Sequence, residues 1–351
     1  MTSPPSPAGR PAEARQATSD EVAAHVVAAA VWAPSVHNSQ PWWFDAHGRD
    51  ISLHADTSRR LTVADPRGRE MTISCGAALF TARLALRSLG YIPDTAVLPD
   101  PACPSLIARV SWRRRAEPTE YEQRLFRWVP QRRTHRGGFG PLPVAPELLA
   151  VLQGGAERDG ARLRIVADEG GRAALAAVVE TAERAMRRDS AYVQELASWV
   201  SPPGSSRADG VPVTAYPARP DRTDPYFPGR DFAHGHGWGL PGFSFGLASR
   251  SAGVVCLLTT AGDSAADWVS AGQALQRLLL TAASCGVAAA LHTQPLELTW
   301  LREYIRAHWS GGAQPQLLLR LGAVPQAVAS VRRSPASVLF PGAGTPPGCR
   351  L

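Results

Sequence analysis

Ala33-Pro34-Ser35-Val36-His37-Asn38-Ser39-Gln40-Pro41-Trp42 stands where an apolar helical pattern stops and a pair of tryptophans begins. Upstream, Asp20 to Val31 places apolar residues on one face after a Ser19-Asp20-Glu21 start signal, and Pro34 forbids the helix from continuing. A helix therefore sets where this loop lies. Ser35, Asn38 and Gln40 carry hydroxyl and carboxamide groups that both donate and accept. Such groups suit the edge of a flat heterocycle with alternating carbonyl and N–H groups, of which a flavin ring is one. The same residues also fit a capping turn that leads into an edge strand.

A second cluster, Arg132-Arg133-Thr134-His135-Arg136, lies between a helix expected over Glu120 to Trp128 and another that Pro146 begins. Three guanidiniums within five residues point to an anion, because arginine grips phosphate through a planar fork and the threonine hydroxyl adds a donor. A charge run can equally be a solvated loop. Here Gly137, Gly138 and Phe139 follow at once, so the backbone can come close to a ligand and then anchor in a core.

Taken together, Ser-x-x-Asn-Ser-Gln-Pro-Trp after one helix and Arg-x-Thr-x-Arg after another resemble the nitroreductase superfamily of FMN-dependent oxidoreductases. The usual order is reversed, since a typical member begins with the arginine loop and forms a homodimer with FMN at its interface. Ala64-Asp65-Pro66, Ser74-Cys75-Gly76, Arg132 to Phe139 and Thr293-Gln294-Pro295-Leu296-Glu297 resemble the actinobacterial Acg branch, and the resemblance runs from about Ser19 to Leu339. It implies an α+β nitroreductase fold in which one chain mimics the family homodimer, with halves over 18–128 and 129–340 and tails over 1–17 and 341–351. It further implies FMN held by Pro34, Ser35, Asn38, Gln40, Arg132, Arg133, Thr134, Arg136, Thr293, Gln294, Pro295, Arg332 and Arg333, with NAD(P)H as electron donor. Many members place a lysine near flavin N1 and O2. This chain contains no lysine, and Arg136 is the candidate for that cation.

Duplication is testable within the chain. A shift of 196 positions lays Gly76, Ala78, Leu79, Leu84, Ser88 and Gly90 on Gly272, Ala274, Leu275, Leu280, Ser284 and Gly286. Both segments read as buried helices closed by glycine and followed by strand-like runs, Leu106 to Val110 and Leu317 to Leu321. The motifs break this symmetry. The first half keeps the Ser35 to Trp42 loop without an arginine loop before its first helix, while the second half shows Gly154-Gly155-Ala156-Glu157-Arg158 where the Ser-x-x-Asn loop would fall. One complete flavin site per chain is expected, and a monomer should suffice for it, with a dimer still open.

The chain has 351 residues, 44% of them hydrophobic, and a net charge of +7 carried entirely by arginine. It can bury one large core or two medium ones, it has no run long enough to span a bilayer, and its polar, Pro-rich start is unlike a signal peptide. A cytoplasmic location is expected. Cys75, Cys103, Cys256, Cys285 and Cys349 show no paired spacing, which indicates neither a disulfide framework nor zinc, and Cys75 and Cys285 read as core residues. The basic balance invites a nucleic-acid role, but no such module is recognisable.

Ser201 to Phe245, rich in Pro, Gly and aromatics, reads as an insertion. In the Acg-like branch the corresponding segment covers the flavin, and Tyr216, Tyr226, Phe227 and Trp238 give this one the apolar area to dock. Removing 205–236 is then expected to leave FMN bound. His234 and His236 read as ordinary residues rather than a metal fragment, and His37 and His292 as structural histidines near the ring. The resulting expectation is two-electron reduction of a nitroaromatic or quinone-type acceptor, or alternatively storage of FMN beneath the insertion.

Overall fold

The structure, a computed structural model, describes residues 17–218, 223–233, 239, 250–324 and 330–341. His234, His236 and Trp238, the start of the chain and its last residues lie outside that set.

The first half opens with α1 (Ser19–Ala30), whose cap is Thr18 and not Ser19: Thr18 Oγ1 accepts from the Glu21 amide while the Glu21 carboxylate accepts from the Thr18 amide. There follow β1 (Trp42–His47), β2 (Asp50–Ala55), α2 (Arg69–Ser88), β3 (Tyr91–Val97), β4 (Leu106–Arg115) and α3 (Glu120–Trp128). The second half contains β5 (Thr134–His135), α4 (Pro146–Arg158), β6 (Arg162–Val166), α5 (Glu169–Met186) and α6 (Ser190–Ser198). Short strands follow, β7 (Val200–Ser201) paired with β8 (Val211–Pro212), and β9 (Thr223–Asp224) paired with β10 (Arg250–Ser251). The half is completed by β11 (Val254–Thr260), α7 (Ala265–Ser284), β12 (Val287–Leu291), α8 (Gln294–Glu297), α9 (Thr299–Trp309) and β13 (Gln314–Ala323).

Two five-stranded mixed sheets result, ordered β14-β1-β2-β4-β3 and β6-β11-β13-β12-β5, where β14 is Leu339–Pro341. The four strands β1-β2-β4-β3 match β6-β11-β13-β12 in order and in antiparallel sense. Each sheet then gains a fifth, parallel strand at opposite edges, β14 beside β1 and β5 beside β12. The chain's far end therefore crosses back to the first half's sheet, so that half is completed by residues beyond 330.

Between the sheets α2 packs on α7, two helices whose first and last residues are offset by the same 196 positions as the sequence repeat. Glycine makes their contact possible. A Cβ at Gly76 would sit 2.3 Å from the Val269 carbonyl oxygen, and one at Gly272 would sit 2.0 Å from that of Ile73, its counterpart under the repeat. The internally duplicated α+β fold thus has a pseudo-twofold axis through this crossing. Around it, Trp42, Phe44, Leu79, Leu86 and Trp112 fill the first half's core, and Leu152, Leu278, Leu319 and Leu321 the second's.

The halves differ in their loops. Between α1 and β1 the chain runs over Val31–Pro41, but between α4 and β6 only Asp159, Gly160 and Ala161 intervene. Gly154 to Arg158 are the last turns of α4 rather than a counterpart of the Ser35 loop. Conversely β1 and β2 form a tight hairpin, whereas α5, α6 and the insertion separate β6 from β11. Two cysteine readings also change. Cys103 is disulfide-bonded, and Cys285 caps α7 in an exposed position; Cys75 and Cys256 are buried and free. Pairing is set by proximity in the fold, which spacing along the chain does not report.

Candidate functional site

Two adjacent chambers lie where the α1–β1 loop, the segment after α3 and the N-terminal end of α2 meet the insertion. Pro34, Ser35, Thr134 and Arg136 border both.

The smaller chamber is walled by Asn38, Arg132, Arg133, Arg136, Ser330 and Arg332. Arg132 is buried, yet among the described residues its Nε and Nη1 have no hydrogen-bond partner, and neither has Arg332 Nε. Burial and the neighbouring Arg133 and Arg136 push the Arg132 guanidinium down to about 9. Burial, then Arg132, Arg133 and Arg136, hold Arg332 well below the ordinary arginine range. Unpaired buried donors and mutual repulsion are each unfavourable by themselves, and an anion within reach of all four cations would relieve both. Arg332 is aimed by bonds to Asn38 Oδ1 at 3.0 Å and to the Trp32 carbonyl at 3.3 Å, and the Arg332 and Arg133 guanidiniums lie 5.5 and 5.0 Å from the Trp32 ring.

The larger chamber is a cavity of about 290 Å³ with apolar walls from Ile73, Leu275, Leu317, Phe227 and Phe232. His37 Nε2 and Tyr216 Oη are buried there without partners among the described residues. Burial, Arg230 and Arg136 hold His37 well below its usual range, so its ring is neutral. Arg136 donates to the Ala215 carbonyl at 3.2 Å, and burial followed by Arg230 lowers it to about 10. Arg320, on β13, donates through Nε to His292 Nε2 at 2.9 Å, and burial lowers it to about 9. Since His292 accepts from an arginine there, the neutral imidazole carries its proton on Nδ1.

Opposite the arginine chamber sits a buried acidic group. Arg230, from the insertion, bonds both oxygens of Glu297, the Tyr192 hydroxyl and, at 2.8 Å, Thr293 Oγ1. Glu70 lines the cavity, and burial together with Glu297 pushes it up to about 8. Asp65 accepts from the Met71 amide at 2.8 Å, and burial raises it as well.

Of the residues expected at the cofactor, Pro34, Ser35, Thr134 and Arg136 border both chambers, Asn38, Arg132, Arg133 and Arg332 the smaller one, and Thr293 the larger. Gln40, Arg333, Gln294 and Pro295 border neither. The Gln40 amide donates to the Ala208 carbonyl at 2.8 Å and accepts from the Arg333 amide at 2.8 Å, so it fastens the insertion and the C-terminal segment to the loop. Arg333 caps the Gln40 and Trp42 carbonyls. Gln294 and Pro295 are buried in α8, with Gln294 directed at Glu183. Asn38 is also occupied, donating to the carbonyls of Gly210 and Val331. The carboxamides thus hold the shape of the loop. The loop needs that support, because His37, Asn38 and Gln40 all adopt left-handed backbone, at φ of 48°, 56° and 49°. Consequently the insertion walls the site, and excising 205–236 would remove the Gly210, Ala208 and Ala215 carbonyls, one partner each of Asn38, Gln40 and Arg136.

Sequence reasoning missed Glu70, Arg230 and Arg320. Their partners come from distant segments, and the one local signal was charge on otherwise apolar elements, Arg69-Glu70 opening α2 and Arg320 amid the leucines of β13.

Both halves of the duplicated α+β fold border the arginine-lined chamber and the apolar cavity beside it. The comparisons give the family. The chain is 34% identical over 303 residues to the protein named "Putative NAD(P)H nitroreductase Rv3131" of Mycobacterium tuberculosis, covering 86% of this chain and 84% of that one. It is 29% identical over 295 residues to "Putative NAD(P)H nitroreductase acg" of the same species, covering 84% and 86%. The chain belongs to the nitroreductase family. No family model matches it. Among solved structures, an FMN-bound nitroreductase from Desulfitobacterium hafniense aligns with 62% of this chain and 97% of its own at 13% identity and a TM-score of 0.39, a likeness too distant to inform the site.

Proposed function

We propose that the chain binds one FMN and is an NAD(P)H-dependent oxidoreductase acting on nitroaromatic or quinone-type acceptors. The observation that carries this reading is the guanidinium atoms of Arg132 and Arg332 left without partners among the described residues, in a chamber that shares Pro34, Ser35, Thr134 and Arg136 with an apolar cavity. A phosphate dianion satisfies those donors and cancels the repulsion among the four arginines. A flat ring fills the apolar chamber, with the neutral His37, the Tyr216 hydroxyl and Arg136 along its wall. FMN, when bound, supplies the two-electron chemistry, taking a hydride equivalent from the nicotinamide and passing it to the acceptor. The protein's part is to grip the phosphate, exclude water, and place Arg136 or Arg320 where anionic charge on a reduced ring is stabilised. Both halves of a single chain contribute to the walls, so the reading predicts a site complete in a monomer.

A second reading, FMN held in storage, is favoured by the insertion. Tyr216, Phe227, Arg230 and Phe232 wall the cavity, and Arg230 is fastened to Glu297 and Thr293. Anaerobic titration of the yellow protein separates the two. Bleaching of flavin absorbance that saturates with NADPH or NADH supports the reductase, whereas bleaching by dithionite alone supports storage and ends the reductase reading.

A further inference from the structure

We propose that Glu70 is the acid of the larger chamber, giving its carboxyl proton to the oxygen of a quinone-type acceptor as that acceptor is reduced. This deepens the oxidoreductase reading and rests on it.

The carboxyl stands in the first turn of α2 and lines the cavity. Its Oε1 accepts from Arg69 Nη2 at 3.0 Å, and no hydrogen bond among the described residues holds Oε2. Each neighbouring carboxylate is better provided for. Glu297, from α8, has Arg230 and Thr293, and Asp65, before α2, has the amides of Met71 and Glu70. Arg69 gives its Nη1 to the Gln316 carbonyl at 2.7 Å and lies near Arg302 of α9. Arg230 is the remaining charge that acts on Glu70, and it is committed to Glu297 and Tyr192. A buried carboxyl with one donor and a carboxylate neighbour keeps its proton at neutral pH, and the free oxygen is the one that can present it to the cavity.

The chemistry balances. Transfer of a hydride equivalent, supplied by the reduced cofactor, turns a quinone into an anion with its charge on oxygen. The Glu70 O–H bond breaks, its proton forms the new O–H bond of the hydroquinone, and the Glu70 carboxylate recovers a proton from water at the cavity mouth. Arg69 stabilises the transient carboxylate.

The test uses FMN-loaded protein reduced anaerobically by dithionite, so that it does not depend on nicotinamide. Reoxidation is timed with p-benzoquinone, which needs protons, and with ferricyanide, which takes electrons alone. In Glu70→Gln the ratio of the quinone rate to the ferricyanide rate should fall about 100-fold. The ratio should decline with rising pH in the native protein, and that decline should disappear in Glu70→Gln. Infrared difference spectra should show a protonated-carboxyl stretch in the native protein near neutral pH that Glu70→Gln lacks, and Glu70→Asp should restore part of the rate ratio. An unchanged ratio, or a carboxyl stretch that survives the Gln substitution, overturns the proposal. If the substituted protein does not retain FMN, the infrared titration of the native protein decides: no carboxyl protonated at neutral pH overturns the proposal equally. Failure of NAD(P)H to bleach the native protein overturns the reductase reading instead, and leaves these measurements valid.

Discussion

The loop between α1 and β1 and its counterpart between α4 and β6 start from equivalent places in two copies of one fold and end as opposites. The first is long, left-handed at three non-glycine residues and held by partners from the insertion and the C-terminal segment. The second is reduced to Asp159, Gly160 and Ala161, with Asp159 tied to Arg277 by bonds of 2.7 and 3.0 Å. Packing symmetry has therefore survived where helices touch, at Gly76 and Gly272, and vanished where the chain borders the two chambers. The lesson is that the two-helix crossing and the loops answer to different constraints, one steric and shared, the other chemical and local.

The sharpest way to break this asymmetry is to remove the cations. Arg132→Ala with Arg332→Ala should weaken FMN binding by about 3–6 kcal/mol, at about 1.5–3 kcal/mol for each charge-assisted contact, read by equilibrium dialysis. Replacing Arg277 on the opposite side should leave FMN affinity unchanged. If both affect binding alike, the two sides are equivalent and the comparison fails.

Symmetry at the helix crossing makes a second prediction. Gly76→Ala and Gly272→Ala should each destabilise the fold by at least about 1–3 kcal/mol through overpacking, and by similar amounts, in denaturant titrations. A large cost at one glycine and none at the other would show that the halves do not share this contact.

Glu70 should leave a pH signature with no equivalent in the second half, where Ala266 takes its place under the repeat. Its folded value, about 8, lies above the ordinary 4.5, so the stability it contributes is complete below the ordinary value and is lost as pH rises towards 8. Glu70→Gln should be less pH-dependent than the native protein across that window, by an amount on the order of 1–3 kcal/mol. Parallel stability curves would place the titrating group elsewhere.

The smallest effect concerns the opening helices. Thr18 caps α1, but Ala145 precedes α4 with no side-chain cap. Thr18→Ala should therefore cost about 1 kcal/mol, and Ala145→Ser should add about 0.5–1 kcal/mol, both measurable by thermal unfolding.

Much of the fold was legible because it is local. Pro34 and Pro146 punctuate helices, α3 occupies the residues that its pattern indicates, and the glycine-rich repeat carries α2 onto α7. The arginine run also announced its chamber, and Arg332 joins it from a distant segment. What stayed hidden depends on partners that only folding supplies. Gln40 and Asn38 looked free to contact a ring, and the residues that claim them lie far along the chain at Ala208, Gly210 and Val331. Glu70 resembled any acid in a first helical turn until Glu297 and Arg230 closed around it.

The insertion between β6 and β11 has no counterpart between β1 and β2. In an assembly of two identical copies, a segment added to one subunit is added to both, and every substitution is felt twice. Joining two unlike halves in one polypeptide removes that obligation. Each half can then change on its own, one free to elaborate the walls of the cavity while the other keeps the scaffold, and dilution cannot part them.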